Sequence, residues 1–315
     1  MPHRTLLAGV AVATILAFAA PVLAQDIAFS SDRSYPESFT YSAKQDVFLL
    51  GSITGGLVAR VDKAGAYAPF ISDRRLVSTV GLVVDDASNT LWVTNSDPGV
   101  GARTSAATKG TLAAVATYDA TTGAPKAYYD LGGLMAGAHL ANDIALDADG
   151  NAYVTDSFAP VIYKIDAKGR ASIFAESPLF LTGKGFNLNG IAWHKDGYLL
   201  VGKYNSGELF RISTADPTDI KAVALPEALV GADGIHLIDG EHLLVVQNAG
   251  ADRTVELVST DGWTTASIVR AKQSELSMPT AAVTVGDDIY VLNARLDTLF
   301  DPQAAKVGNY LLQQF

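Results

Sequence analysis

Six times along this chain a short apolar strand pattern is followed, after a turn, by a second apolar run that ends in small or polar residues. The second runs are Val47–Ser52, Leu91–Ser96, Ala152–Ser157, Tyr198–Lys203, His242–Gln247 and Ile289–Ala294. Third strands follow, clearest at Gly56–Asp62, Val161–Asp166 and Glu208–Ser213. The runs are short, rich in β-branched and aromatic residues, and bounded by Gly, Asp and Asn. From residue 25 onward no segment carries a helical period. A self-similar unit of this kind cannot bury both faces alone, so the units must pack on one another. The expected fold is all-β: a six-bladed β-propeller of four-stranded blades.

A ring has to be closed. The sixth repeat ends in Asn309–Phe315, which reads as a third strand with no fourth behind it. The segment Asp26–Ser30 supplies a spare strand near the other end of the sequence, so the N- and C-terminal strands are expected to complete one blade together. Ahead of that segment, Arg4 and the apolar run from Leu6 to about Ala20 lead to Val22-Leu23-Ala24. That is the pattern of a secretory signal peptide over residues 1–24, with the propeller over 25–315. The expected location is outside the cytoplasm, periplasmic or extracellular. The chain holds no cysteine, so no disulfide supports it there and the core must do so. A net charge of −10 with no Lys/Arg run argues against nucleic-acid and anionic-membrane partners. A small-molecule substrate and a monomer are expected.

In a propeller the first strand of each blade faces the axis, so equivalent positions on the six first strands converge. Those positions are Glu37, Val80, Asn142, Asn189, Asp233 and Pro279, each 9 to 11 residues ahead of its second run. Four of the six carry oxygen. Two carboxylates and two amides form a hard-oxygen set of charge −2, which suits Ca²⁺; Mg²⁺ prefers a tighter octahedron, and the lack of Cys and His argues against Zn²⁺ or Cu²⁺. Each motif alone has a plainer reading, since Asn142-Asp143, Asn189-Gly190 and Asp233-Gly234 could be turn dipeptides; the shared register favours the metal set. Asp147, Asp149 and Asn151 resemble the start of an EF-hand loop, but position twelve is Phe158 and the flanks are strands.

The segments Tyr35-Pro-Glu-Ser38, Ala141–Asp147, Leu188–Ala192 and Gly231–Ile235 resemble the motifs of the regucalcin, gluconolactonase and luciferin-regenerating-enzyme-like superfamily, the calcium-dependent phosphotriesterase superfamily. That group includes paraoxonase and diisopropyl fluorophosphatase. The resemblance runs through all six repeats. It implies a hydrolase of lactones, esters or phosphotriesters, with Glu37, Asn142, Asn189 and Asp233 as metal ligands. It further implies Asp233 as nucleophile or base and Asn142 and Asn189 as substrate-orienting groups. Leu140 stands where sugar-acid lactonases of the group carry Arg, which weakens a sugar-lactone substrate. The alternatives are a non-catalytic propeller with a structural Ca²⁺ that binds a partner or small molecule, and a strictosidine-synthase-like lyase, which normally lacks this ligand set.

Other polar residues are weaker candidates. No G-x-S-x-G elbow accompanies the histidines, which argues against a serine hydrolase. His139 is placed near the channel mouth, as an exposed loop residue or a proton shuttle, and His236 as a satisfied structural residue. The second-strand ends Asn95, Asp156, Ser157, Lys203, Tyr204 and Gln247 are expected at the mouth as pocket walls, with Phe158 and Phe186 as an apolar rim.

Overall fold

The computed structural model describes Met1 and residues 25–315; the signal-peptide reading falls on residues outside that range. Residues 27–315 form six four-stranded antiparallel sheets. Blade 1 runs Phe39–Ser42, Val47–Leu50, Val58–Val61 and Tyr67–Ile71, and blades 2 to 5 repeat this order through Ser78–Asp130, Ala141–Glu176, Leu188–Ala222 and Ala232–Gln273. The expected propeller is present, blade for blade. Blade 6 is composite: Pro279–Val285, Asp288–Asn293 and Asn309–Gln314 are joined by Ile27–Ser30 as the outermost strand. Ile27 pairs with Leu312 and Ser30 with Asn309, antiparallel, so the two ends of the sequence close the ring as expected.

Six separate hydrophobic clusters hold the ring, one at each junction between neighbouring blades. Leu49 and Leu91 meet between blades 1 and 2, Val115 and Val154 between 2 and 3, and Tyr153 and Leu199 between 3 and 4. Leu200 and Leu243 meet next, followed by Leu244 with Val291. Ile27, Phe29, Phe48 and Tyr310 join blades 6 and 1. Both faces of each central strand are therefore buried, which is why the second runs read as continuous apolar stretches rather than as alternating ones.

A short helix departs from the all-strand expectation. Leu296–Phe300 makes one helical turn between the second and third strands of blade 6. Arg295 enters it in the left-handed region at φ 57°, and Ser277 Oγ donates to Asp297 Oδ1 at 2.8 Å. Five residues are too few to show a 3.6-residue period, so nothing in the hydropathy pattern marks it. Among the described residues no helix is long and apolar enough to cross a membrane.

Candidate metal and substrate site

The first strands of blades 2 to 5 each break register where the aligned residue sits. Pairing with the second strand skips from Thr79 to Leu82, from Ala141 to Ile144, from Leu188 to Ile191 and from Ala232 to Ile235. Val80, Asn142, Asn189 and Asp233 are therefore bulge residues, and the bulge re-aims the side chain toward the axis. These dipeptides are bulges inside a strand, not turns ahead of one. The second bulge residue is Gly in three blades because neighbouring backbones meet there. A Cβ on Gly190 would stand 2.5 Å from Ile235 N, and one on Gly234 2.5 Å from Thr280 O. Blade 3 carries Asp143 instead. Its carboxylate accepts from Ile144 N at 2.9 Å and Ile191 N at 3.3 Å, and burial pushes it up to about 7.

Threonines of the second strands lock the bulges in place. Thr94 Oγ1 accepts from Gly81 N at 2.6 Å and donates to Asn142 O at 2.7 Å in the next blade. Thr155 Oγ1 does the same between Asp143 N, at 3.1 Å, and Asn189 O, at 2.6 Å. Two amide ligand candidates thus hang from carbonyls fixed by the preceding blade.

Glu37, Asn142, Asn189 and Asp233 line one cavity of about 290 Å³. All four candidate ligands, including the three proposed catalytic residues Asn142, Asn189 and Asp233, come together. Asn142 Nδ2 donates to Ser157 Oγ at 3.0 Å, and Asn189 Nδ2 donates to Asp233 Oδ1. With each amide nitrogen held, both amide oxygens lack a protein partner among the described residues. The Glu37 carboxylate likewise makes no side-chain hydrogen bond there. Burial, then the neighbouring charges of Asp233 and Asp143, hold Glu37 well above the usual carboxylate range. Asp233 is pushed up to about 7 by burial, opposed by its hydrogen bonds from Asn189 and Asn248. Two like charges facing each other in a desolvated channel lack a counter-charge, and a hard divalent cation with oxygen ligands supplies one. Among the described residues no three His, Cys, Asp or Glu side chains cluster for a metal. This set is two carboxylates and two amides, which suits Ca²⁺ rather than a transition metal.

One residue of the site was not expected. Asn248 Nδ2 donates to Asp233 Oδ2, while its Oδ1 accepts from Tyr204 Oη at 2.7 Å. Both Asp233 oxygens are therefore held by amides, one of them oriented in turn by a tyrosine. The apolar walls above this floor include Ile53, Val80, Leu140, Phe186, Met278 and Leu296.

Several placements need correction. Of the second-strand ends, Tyr204 lines the cavity and Ser157 holds Asn142, but Asn95, Asp156, Lys203 and Gln247 turn the other way. Each is buried and pins the loop that enters its own blade: Asn95 to Val77 N and Arg75 O, Asp156 to Leu140 N, Lys203 to Thr182, and Gln247 to Val230 O. Successive strand residues face opposite sides, so a list of consecutive ends mixes the two roles. Phe186 lines the cavity, while Phe158 packs behind it, tilted by 33° at 5.4 Å between centroids. Asp147 accepts from Asp149 N, Asn151 N and Tyr153 Oη in its own hairpin, a turn and not a calcium loop. His236 donates to or accepts from Thr284 Oγ1 at 2.8 Å, and burial lowers it to about 4, a neutral structural histidine.

His139 is neither exposed nor at the mouth. It is 2% exposed, with Nδ1 2.9 Å from Asp156 Oδ2 and Nε2 2.7 Å from Met135 O. Both ring nitrogens face acceptors, so the imidazolium fits, and the hydrogen bond it donates to the Asp156 carboxylate raises its pKa from the usual histidine value. A raised pKa contributes stability that is complete below the unfolded value and disappears as pH rises through the folded one. With Ca²⁺ present, Tm is expected to fall from pH 6.5 to 9, and His139→Gln is expected to remove most of that slope. Calorimetry over this range decides it: an unchanged slope would mean a neutral His139.

The fold and the channel define a six-bladed propeller with an oxygen-lined axial cavity. No family model matches the chain, and no curated protein matches it by sequence. Among solved structures it is similar to the major allergen Mala s 1 of Malassezia sympodialis, with 18% identity, TM-score 0.72, and coverage of 93% of this chain and 96% of that one. It is also similar to luciferin-regenerating enzyme, at 12% identity and TM-score 0.62 with 92% and 95% covered. Virginiamycin B lyase of Staphylococcus aureus follows at 15% and 0.60, with 90% and 81% covered. A gluconolactonase-like protein matches at 12% and 0.62, with 93% of each chain covered. The propeller expected from the sequence is thus a fold shared with these solved structures over most of their length. At these identities the fold carries no reaction with it.

Proposed function

We propose that this chain is a Ca²⁺-dependent hydrolase of lactones, esters or phosphotriesters. One observation supports it most: four oxygen side chains, three of them without a partner for their free oxygens, line the floor of a substrate-sized cavity. A structural ion would be enclosed by protein, whereas these donors leave coordination positions open to the cavity. Bound there, a divalent cation supplies Lewis acidity toward a carbonyl or phosphoryl oxygen. Glu37, Asn142, Asn189 and Asp233 would hold it. Asp233, fixed by two amide donors, either attacks the reacting centre or takes the proton of an attacking water. Asn142 and Asn189 fix the substrate's approach. The location outside the cytoplasm that the sequence leads one to expect fits the reading, because a weak calcium site suffices where calcium is abundant.

The test is a hydrolysis screen of lactones, aryl esters and phosphotriesters with and without Ca²⁺, paired with melting curves. Saturating Ca²⁺ at about 100 times its Kd is expected to stabilise the fold by about 2.7 kcal/mol, roughly 5 °C. The shift is expected to be larger at pH 8 than at pH 5. Burial raises the pKa of Glu37 and of Asp233, that of Asp233 to about 7, so the metal-free fold loses stability as pH rises through the folded-state values and recovers it on protonation. Melting indifferent to chelator and Ca²⁺ would remove the metal site; a calcium shift without turnover would leave the structural-ion reading.

A further inference from the structure

We propose that the substrate is an uncharged lactone or ester with an apolar group, held against an aromatic wall of Phe186 and Tyr204. This inference rests on the hydrolase reading and names the substrate class of that site. Among the described residues, none that lines the cavity is Lys, Arg or His. The floor carries two carboxylates, which a divalent cation only neutralises, so no surplus positive charge remains for a substrate anion. Leu140 and Val80 occupy wall positions where a polar substrate would need a donor or an acceptor.

The aromatic wall is a built feature. Phe158 backs Phe186 at 5.4 Å, and Phe186 meets the edge of Tyr204 at 5.9 Å. The Tyr204 hydroxyl is occupied by Asn248 Oδ1, so the ring rather than the hydroxyl is offered to the cavity. Through Asn248 the same tyrosine is tied to Asp233. The wall that grips the apolar group is therefore fastened to the group that does the chemistry. Across the cavity, Met278, Leu296 and Phe300 add an apolar side, the last two from the single-turn helix, and Phe300 remains 44% exposed at the rim.

Each substrate hydroxyl buried here without a partner would cost about tenfold in affinity, and each buried methylene would gain roughly threefold. A polyhydroxylated sugar lactone is penalised on both counts. In hydrolysis the water oxygen bonds to the acyl carbon, the ring C–O bond breaks, and the leaving oxygen takes a proton. The product is a hydroxy-acid anion, which this acidic, cation-poor cavity favours releasing.

The experiment compares kcat/KM for δ-lactones of increasing alkyl length with that for glucono-δ-lactone, in Ca²⁺, alongside calorimetric binding of δ-decalactone. We expect kcat/KM to rise roughly threefold per methylene until the cavity is filled, with glucono-δ-lactone at least about 100-fold poorer than the longest substrate. Phe186→Ala is expected to flatten the chain-length dependence and weaken δ-decalactone binding. Leu140→Arg should narrow the gap to the sugar lactone. Rates independent of chain length, or a preference for glucono-δ-lactone, would overturn the substrate class while leaving the hydrolase reading intact. Saturable δ-decalactone binding, lost in Phe186→Ala but with no turnover of any compound, would sustain the apolar site and overturn the hydrolase.

Discussion

Asp233→Asn is expected to lower Ca²⁺-dependent hydrolysis by at least about 10³-fold while leaving the propeller folded. The carboxylate sits on a first-strand bulge, with Asn189 holding one oxygen and Asn248 the other. An asparagine keeps the shape and one acceptor, so packing is undisturbed, but it turns an NH₂ group toward a neighbouring amide donor. That mismatch costs about 1–3 kcal/mol. Removing a buried like charge from beside Glu37 offsets it, so metal-free Tm is expected to stay close to that of the native chain. The calcium-induced shift should shrink sharply, because half of the site's negative charge is gone. These readouts separate a lost catalytic group from a lost fold. Hydrolysis at the native rate would show that Asp233 is not in the chemistry, and a full calcium shift would show that it is not a ligand.

The sequence showed most of what depends on repetition. Six equivalent positions converge because a ring brings them together, so Glu37, Asn142, Asn189 and Asp233 could be grouped without coordinates, and the missing strand of blade 6 could be assigned to Asp26–Ser30. What depends on side-chain parity was harder to see. Asn248 was passed over because the apolar run of blade 5 stops at Gln247, and the residue beyond it looked like loop. Aligned on the six second strands, however, Asn248 matches Ile53, Ser96, Ser157, Tyr204 and Ala294, and of these Ile53 and Tyr204 line the cavity with it. Its neighbour Gln247 matches Asn95, Asp156, Lys203 and Asn293, which pin entering loops; Asn293 Oδ1 accepts from Leu276 N at 2.8 Å. The repeated Val-Thr-Asn-Ser and Val-Thr-Asp-Ser of blades 2 and 3 carried the bulge-locking threonine in plain view. His139 was misplaced for a different reason: it lies in a connecting loop whose fold brings Met135 O to Nε2 and sets Nδ1 against the strand residue Asp156, and such a loop has no periodic signature. The helix Leu296–Phe300, a wall of the cavity, is a single turn and leaves none either.

A chain beginning at Ser31 is expected to lose most of its stability relative to one beginning at Gln25. The closing strand Ile27–Ser30 buries Ile27 and Phe29, 6% and 3% exposed. Phe29 packs on Tyr310 at 5.4 Å and stacks on Tyr67 at 6.3 Å, so it joins blade 6 to blade 1. Burial of two such side chains stabilises by about 3–6 kcal/mol, a large share of the roughly 5–15 kcal/mol that keeps a domain folded. Without the strand, Asn309–Gln314 becomes an open edge able to pair with another chain. The damage should also reach the site. Just downstream, Tyr35 is held by its N–H to Tyr310 Oη at 3.0 Å, and its own hydroxyl accepts from Val307 N at 2.8 Å. Glu37 follows two residues later, so the clasp that closes the ring also positions one of the two channel carboxylates. Shortened chains that stay monomeric are therefore expected to bind Ca²⁺ more weakly, and a peptide spanning residues 25–33 added in trans should restore both stability and calcium binding in part. Denaturant titration and size-exclusion chromatography check the first effect, and calcium titration the second. A native-like midpoint for the shortened chain would mean that the other five junctions hold the ring without its clasp.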